Sequence, residues 1–190
     1  MSGGMIFLLV ILAIVLIWGI ATVNRFVRLR QHIRESWSDI DVELKRRYDL
    51  IPNLVETVKG YASHEREVLE RVVELRNRAM TNTGSPGSQG GDESQLLLGL
   101  KQIFALAEGY PELKADQHFL ELQRELARTE DRIAAARRFY NGNVRTLNAL
   151  RESVPTNFIA GLLSIQAQTY FQLESGQERD VPQVGDGLNS

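Results

Sequence analysis

From Met5 to Val23 the chain carries no charged side chain, and Ile, Leu, Val, Phe and Ala fill the run almost throughout. Its length, about 19 residues, is close to the roughly 20 that a helix needs to cross about 30 Å of hydrocarbon. Trp18 lies about one turn inside the far end, where an amphipathic ring can reach the headgroups. A cleavable signal peptide would carry a basic leader and a shorter apolar core of about 7–15 residues. Met1 to Gly4 has no basic side chain and the run is too long, so residues 1–23 read as a membrane anchor. Arg25, Arg28, Arg30 and Arg34 follow it closely. Basic flanks favour the cytoplasmic side, so the expected topology is single-pass, N-terminus out, with the soluble domain cytoplasmic.

The rest of the 190-residue chain is long enough to bury a hydrophobic core. A net charge of −2 argues against nucleic acid as a partner, since such binders carry a basic stripe. There is no cysteine. Disulfides, thiolate nucleophiles, thiolate metal sites and a lipid-modified cysteine are thereby excluded.

The fold class expected is all-α: a transmembrane helix continuing into an antiparallel four-helix bundle over residues 24–171. Ile33, Trp37, Ile40, Leu44, Tyr48 and Ile51 recur at three- and four-residue steps, the apolar stripe of an amphipathic helix. Asp49 is a good N-cap and Pro52 suits a first turn. The expected first helix is therefore Asn24–Tyr48 and the second Asp49–Met80. Residues 81–92, TNTGSPGSQGGD, read as a flexible loop. A third helix, from about Glu93 to Ala107, stops at Gly109, Tyr110 and Pro111. The fourth, about Glu112–Ser153, carries a near-heptad stripe from Phe119 to Leu150 that suits coiled-coil-like packing. Reversal at Tyr48 brings Trp37 near Leu122 and Leu126, and Arg46 or Arg47 near Glu112, Asp116 or Glu121. The tail, 172–190, is polar and expected to be poorly ordered.

No catalytic, cofactor-binding or metal-ligating residue is expected. His32, His64 and His118 fall on separate helices and outside H-E-x-x-H or E-x-x-H spacing. No phosphate loop and no G-x-S-x-G serine is present. Asp41, Glu43, Glu121 and Glu125 each have a cation three or four residues away, the pattern of a solvated helix face.

Two long runs are distinctive: RRYDLIPNLVETVKGYA, Arg46–Ala62, and YPELKADQHFLELQRELARTEDRIAAARRFYN, Tyr110–Asn141. With Trp37, with PTNFIAGLL at Pro155–Leu163 and with the Tyr170–Phe171 pair, they resemble the bacterial LemA family over nearly the whole chain. The departures are Tyr110 where the family often has Phe, Gly142 inside the fourth helix, and the polar stretch Ser164–Thr169. The resemblance implies an N-terminal anchor in the cell (inner) membrane, a cytoplasmic or periplasmic four-helix domain and no known catalytic residue. It further implies association with membrane metalloproteases or companion membrane proteins, and for some relatives a part in shaping bacterial membranes. Members with a lipobox cysteine in place of the spanning helix face outward.

These readings converge on a membrane-anchored interaction or scaffold protein rather than an enzyme. The alternatives are a regulatory accessory of a membrane metalloprotease and a membrane-shaping protein. The expected partners are the lipid bilayer and a second membrane protein, with self-association left open. The uncharged segment Phe158–Leu163 has two readings, a hydrophobic plug on the open end of the bundle or a contact with the lipid interface.

Overall fold

The architecture is that of a computed structural model, which describes residues 3–173. Its elements are α1 (Gly3–Tyr61), α2 (Arg66–Thr81), α3 (Pro86–Ala107), α4 (Pro111–Lys114), α5 (Gln117–Glu152) and α6 (Thr156–Leu162). The described residues contain no strand. The spanning run and the first bundle helix are one continuous element, as expected.

That element runs further than its local signals indicate. Asp49 caps nothing: it is exposed in the middle of α1, which continues through Pro52 to Tyr61. A proline inside a helix deprives the carbonyl four residues earlier of its donor. Here that carbonyl belongs to Tyr48, and Arg76 Nε of α2 donates to it at 2.6 Å. The break is repaired from a neighbouring helix. The buried stripe of Leu44, Tyr48, Ile51, Leu54 and Val58 also crosses Pro52 without changing phase, so packing favours one helix over two.

The chain therefore reverses at Ala62–Glu65 instead of at Tyr48. The thirteen residues Asp49–Tyr61, transferred to α1, slide its pairing with α5 by about that length. Trp37 does not meet Leu122 and Leu126; its ring packs 5.4 Å from Tyr140 and 5.6 Å from Phe171. Arg46 and Arg47 do not take Glu112, Asp116 or Glu121. Arg46 pairs with Glu125 at 3.0 Å and Arg47 with Glu130 at 2.7 Å. One antiparallel register holds along the pair, from the Tyr61 hydroxyl donating to Asp116 at 2.9 Å down to Asn143 Nδ2 reaching the His32 carbonyl at 3.3 Å.

The expected loop over 81–92 is largely helix. Ser85 caps α3 through its hydroxyl and Pro86 occupies the first turn. Gly90 stays small because a Cβ there would come 2.1 Å from the Gln172 carbonyl oxygen. The expected fourth helix is two pieces, α4 and α5. Asp116 interrupts it, accepting from the Phe119 amide at 2.8 Å as the N-cap of α5.

The chain goes out, back, out and back. The α2–α3 hairpin covers only the far half of α1, where Tyr48 to Val58 are buried. In the near half its place is taken by α6 and an extended strap, Ile165–Leu173. A Schellman turn links them: Ile165 donates to Ala160 and Ser164 to Gly161, with Ser164 at φ 50°. Two asparagines one heptad apart on α5 then hold the strap. Asn148 donates to the Gln168 carbonyl at 3.0 Å and accepts from its amide at 2.9 Å. Asn141 does the same for Phe171, at 3.0 Å each way. Seven helical residues rise about 10.5 Å and three extended residues about 10 Å, so the two ladders are commensurate. Phe171 thereby enters the core, and Leu173 packs on it. The polar tail beyond them lies outside the described residues.

Candidate functional site: two ends of one polar and apolar axis

Three helices contribute charge to a cluster deep in the far half. Arg47 of α1 is buried against Glu93 of α3 and against Glu130 of α5. Glu93, fully buried, also accepts from the Tyr48 hydroxyl and, at 2.9 Å, from Gln89 Nε2. Gln89 donates as well to the Ala79 carbonyl at 3.0 Å. Beside it Asp92 takes Arg78 at 2.7 Å and Asn82 at 2.6 Å. Burial pushes the Tyr48 hydroxyl up to about 12, against the opposing pull of Arg47. Gln89 and Asp92 fall in the segment read as a loop. The signal that could have found them is Ser85–Pro86, an N-cap followed by a first-turn proline.

The carboxylates read as a solvated face divide in two. Asp41 does pair along its own helix with Lys45 at 2.9 Å, and Glu125 with Arg128 at 2.8 Å. Glu125 also crosses to Arg46, and Glu43 reaches Arg132 of α5 at 3.9 Å. These cross-helix pairs fix the register of α1 against α5. Arg128, then Arg46, holds the Glu125 carboxyl below the usual range. The Phe119 amide and the Tyr61 hydroxyl do the same for Asp116.

His32, His64 and His118 are exposed and far apart in sequence, and His32 lies 3.2 Å from Glu35. Among the described residues no three His or carboxylate side chains converge as a metal site would require. The cluster joins α1, α3 and α5 through Arg47, while Arg47 Nε and the neighbouring Glu43 Oε2 are buried without a hydrogen-bond partner among the described residues.

The other end is apolar. Residues Met5–Ile20 of α1 are exposed apart from Gly19, and this is the one described helix long and apolar enough to cross a membrane. Gly19, Thr22, Val23 and Phe26 are the first to lose solvent. Arg25, Arg28, Arg30 and Arg34 ring α1 just beyond, with Arg145 and Arg151 of α5 at the same level and Glu35 and Glu152 among them. Arg30 and Arg34 line a hollow of about 300 Å³ with Ile33 and Gln168.

Residues 36–185 match the model of the LemA family. The chain is 26% identical to Protein LemA of Metamycoplasma hominis over 158 residues, 83% of this chain and 72% of that one. It is 27% identical to Magnetosome protein MamQ 2 of Paramagnetospirillum magneticum over 174 residues, 78% of this chain and 64% of that one. Over 188 residues it is 25% identical to Magnetosome protein MamQ of Magnetospirillum gryphiswaldense, covering 85% of this chain and 69% of the relative. The matched span takes in the Arg47–Glu93–Glu130 cluster and the asparagine-held strap, and with it the chain belongs to the LemA family.

Proposed function

We propose that this protein is a membrane-anchored scaffold without catalysis of its own, holding a stiff helical bundle beside the bilayer for a membrane-protein partner. One observation carries the reading. The spanning run and the bundle core are the same helix, Gly3–Tyr61, with no linker between them. A tethered enzyme gains from a flexible linker that lets its site search for substrate; a platform gains from rigidity. The interior charge is spent on joining helices, which agrees with a structural role. The soluble domain sits in the cytoplasm, in keeping with the four arginines that follow the run. Relatives named as magnetosome proteins favour a second reading, in which the platform helps shape a membrane.

The test is photo-crosslinking in intact cells from single positions on the exposed faces of α2, α3 and α5, followed by mass spectrometry. One recurrent membrane protein captured from a contiguous set of positions is the expected result. Capture of soluble substrates at one spot, with their chemical turnover, would replace the scaffold by an enzyme. A topology reporter fused at Ser190 should work only if it is one that is active in cytoplasm.

A further inference from the structure

Between Ser153 and Leu173 there is no charged residue, in a chain that is 24% charged. The fold divides this segment by face. Ala160 and Ile165 are buried, and Ile159 packs against the core. Val154, Phe158 and Leu162 turn outward at 75%, 73% and 85% exposure, with Leu163 beside them. The plug reading of Phe158–Leu163 holds for one face alone. The plug is the inner face, and an outer face of four large apolar side chains is left over.

Its position along α1 decides what covers it. The register that sets Trp37 against Tyr140 and Asn143 against His32 brings Glu152, the end of α5, level with about Asn24–Arg25. The next element, α6, packs on both α1 and α5. It therefore lies beside Gly19–Phe26, where α1 first becomes covered. The run Met5–Val23 is about 28 Å long at 1.5 Å per residue, which needs nearly all of it to cross about 30 Å of hydrocarbon. The last turn of that run, and α6 with it, is then at the boundary of acyl chains and headgroups. Arginines stand just behind, where phosphates lie. A soluble protein seldom leaves large apolar side chains clustered in water, and a bilayer takes up such a face readily.

We propose that α6 is an interfacial foot: Val154, Phe158, Leu162 and Leu163 enter the acyl–headgroup boundary of the same bilayer that α1 crosses. The proposal rests on the anchor reading above, through the depth of Val23.

The chain has no native cysteine, so single labels report cleanly. Leu12→Cys, Phe158→Cys, Leu162→Cys and Met80→Cys variants of the full chain carry an environment-sensitive fluorophore. They are reconstituted in vesicles of phosphatidylethanolamine and phosphatidylglycerol and quenched by brominated acyl chains or by aqueous iodide. Matching thermal melts show that the labels leave the fold intact. Labels at Leu12, Phe158 and Leu162 should lose emission to bromolipid, and the label at Met80 only to iodide. If Leu12 is quenched by lipid but Phe158 and Leu162 by iodide, the foot is wrong and the anchor stands. If Leu12 itself is reached only by iodide, the anchor fails and the foot with it. If Phe158 and Leu162 are shielded from both quenchers, and labels on neighbouring molecules quench each other, a second copy covers the face and the lipid contact is excluded.

Discussion

Ser164 holds φ at 50°, a conformation that costs a side-chain-bearing residue about 1–2 kcal/mol relative to its normal range. The Schellman turn needs a residue in this region, and glycine supplies it without that cost. Ser164→Gly should therefore raise stability by about 1 kcal/mol, and Ser164→Ala should not; thermal or denaturant unfolding in detergent separates them. Tyr48 gives a second expectation. Its hydroxyl, raised to about 12 from an ordinary 10, stays protonated in the fold when the unfolded chain has already lost the proton. The stability this confers is full below pH 10 and lost as pH rises through about 12. Unfolding curves between those limits should show an alkaline decline, shallower in Tyr48→Phe.

At the scale of elements, the fate of Pro52 turns on a residue elsewhere in the chain. Arg76 satisfies the Tyr48 carbonyl that Pro52 orphans. Pro52→Ala restores the missing helical donor, so the two side chains are energetically coupled. Arg76→Met should cost about 1–3 kcal/mol with Pro52 present and markedly less in the Pro52→Ala background. Independent effects in that double-mutant cycle would show that the bond does not matter. The same bond explains what could be read from sequence. The apolar stripes were legible: Phe119, Leu126, Ile133, Tyr140, Val144, Leu147 and Leu150 are buried as their spacing predicts. The boundaries were less so, because Asp49 and Pro52 carry a local start signal that Arg76, 28 residues beyond Tyr48, overrides. Ser85 and Pro86 carry a start signal that the glycines around them obscure. The strap was not legible at all. Nothing about Gln168 or Phe171 in isolation shows that two asparagines a heptad apart will take their backbone.

For the molecule as a whole, three helices meet on Arg47, and the charges there depend on one another. Removing one member of a buried pair leaves the other desolvated and unmatched, at a cost of about 3–5 kcal/mol, whereas replacing the set with apolar groups of similar volume is often neutral. Arg47→Met alone should destabilise by that amount. Arg47→Met combined with Glu93→Leu and Glu130→Leu should recover much of it, as read by unfolding in detergent; a triple variant weaker than the single one would show that the charges themselves hold the bundle together. The candidate site was only half visible beforehand. Arg46, Arg47 and the uncharged Phe158–Leu163 stand out in the sequence, but two of the acids that answer the arginines, Glu125 and Glu130, lie a sliding of α5 away from the expected ones, and Glu93 comes from α3. The unbroken helix has a mechanical consequence. From Val23 to Tyr61 it extends about 57 Å. An anchor that leans by about 20°, an ordinary tilt for a spanning helix, carries the Tyr61–Asp116 end about 20 Å sideways. On the scaffold reading proposed above, the bundle is a lever with its fulcrum at the headgroups, and a change in the anchor's tilt would become a wide swing of whatever is held at its tip.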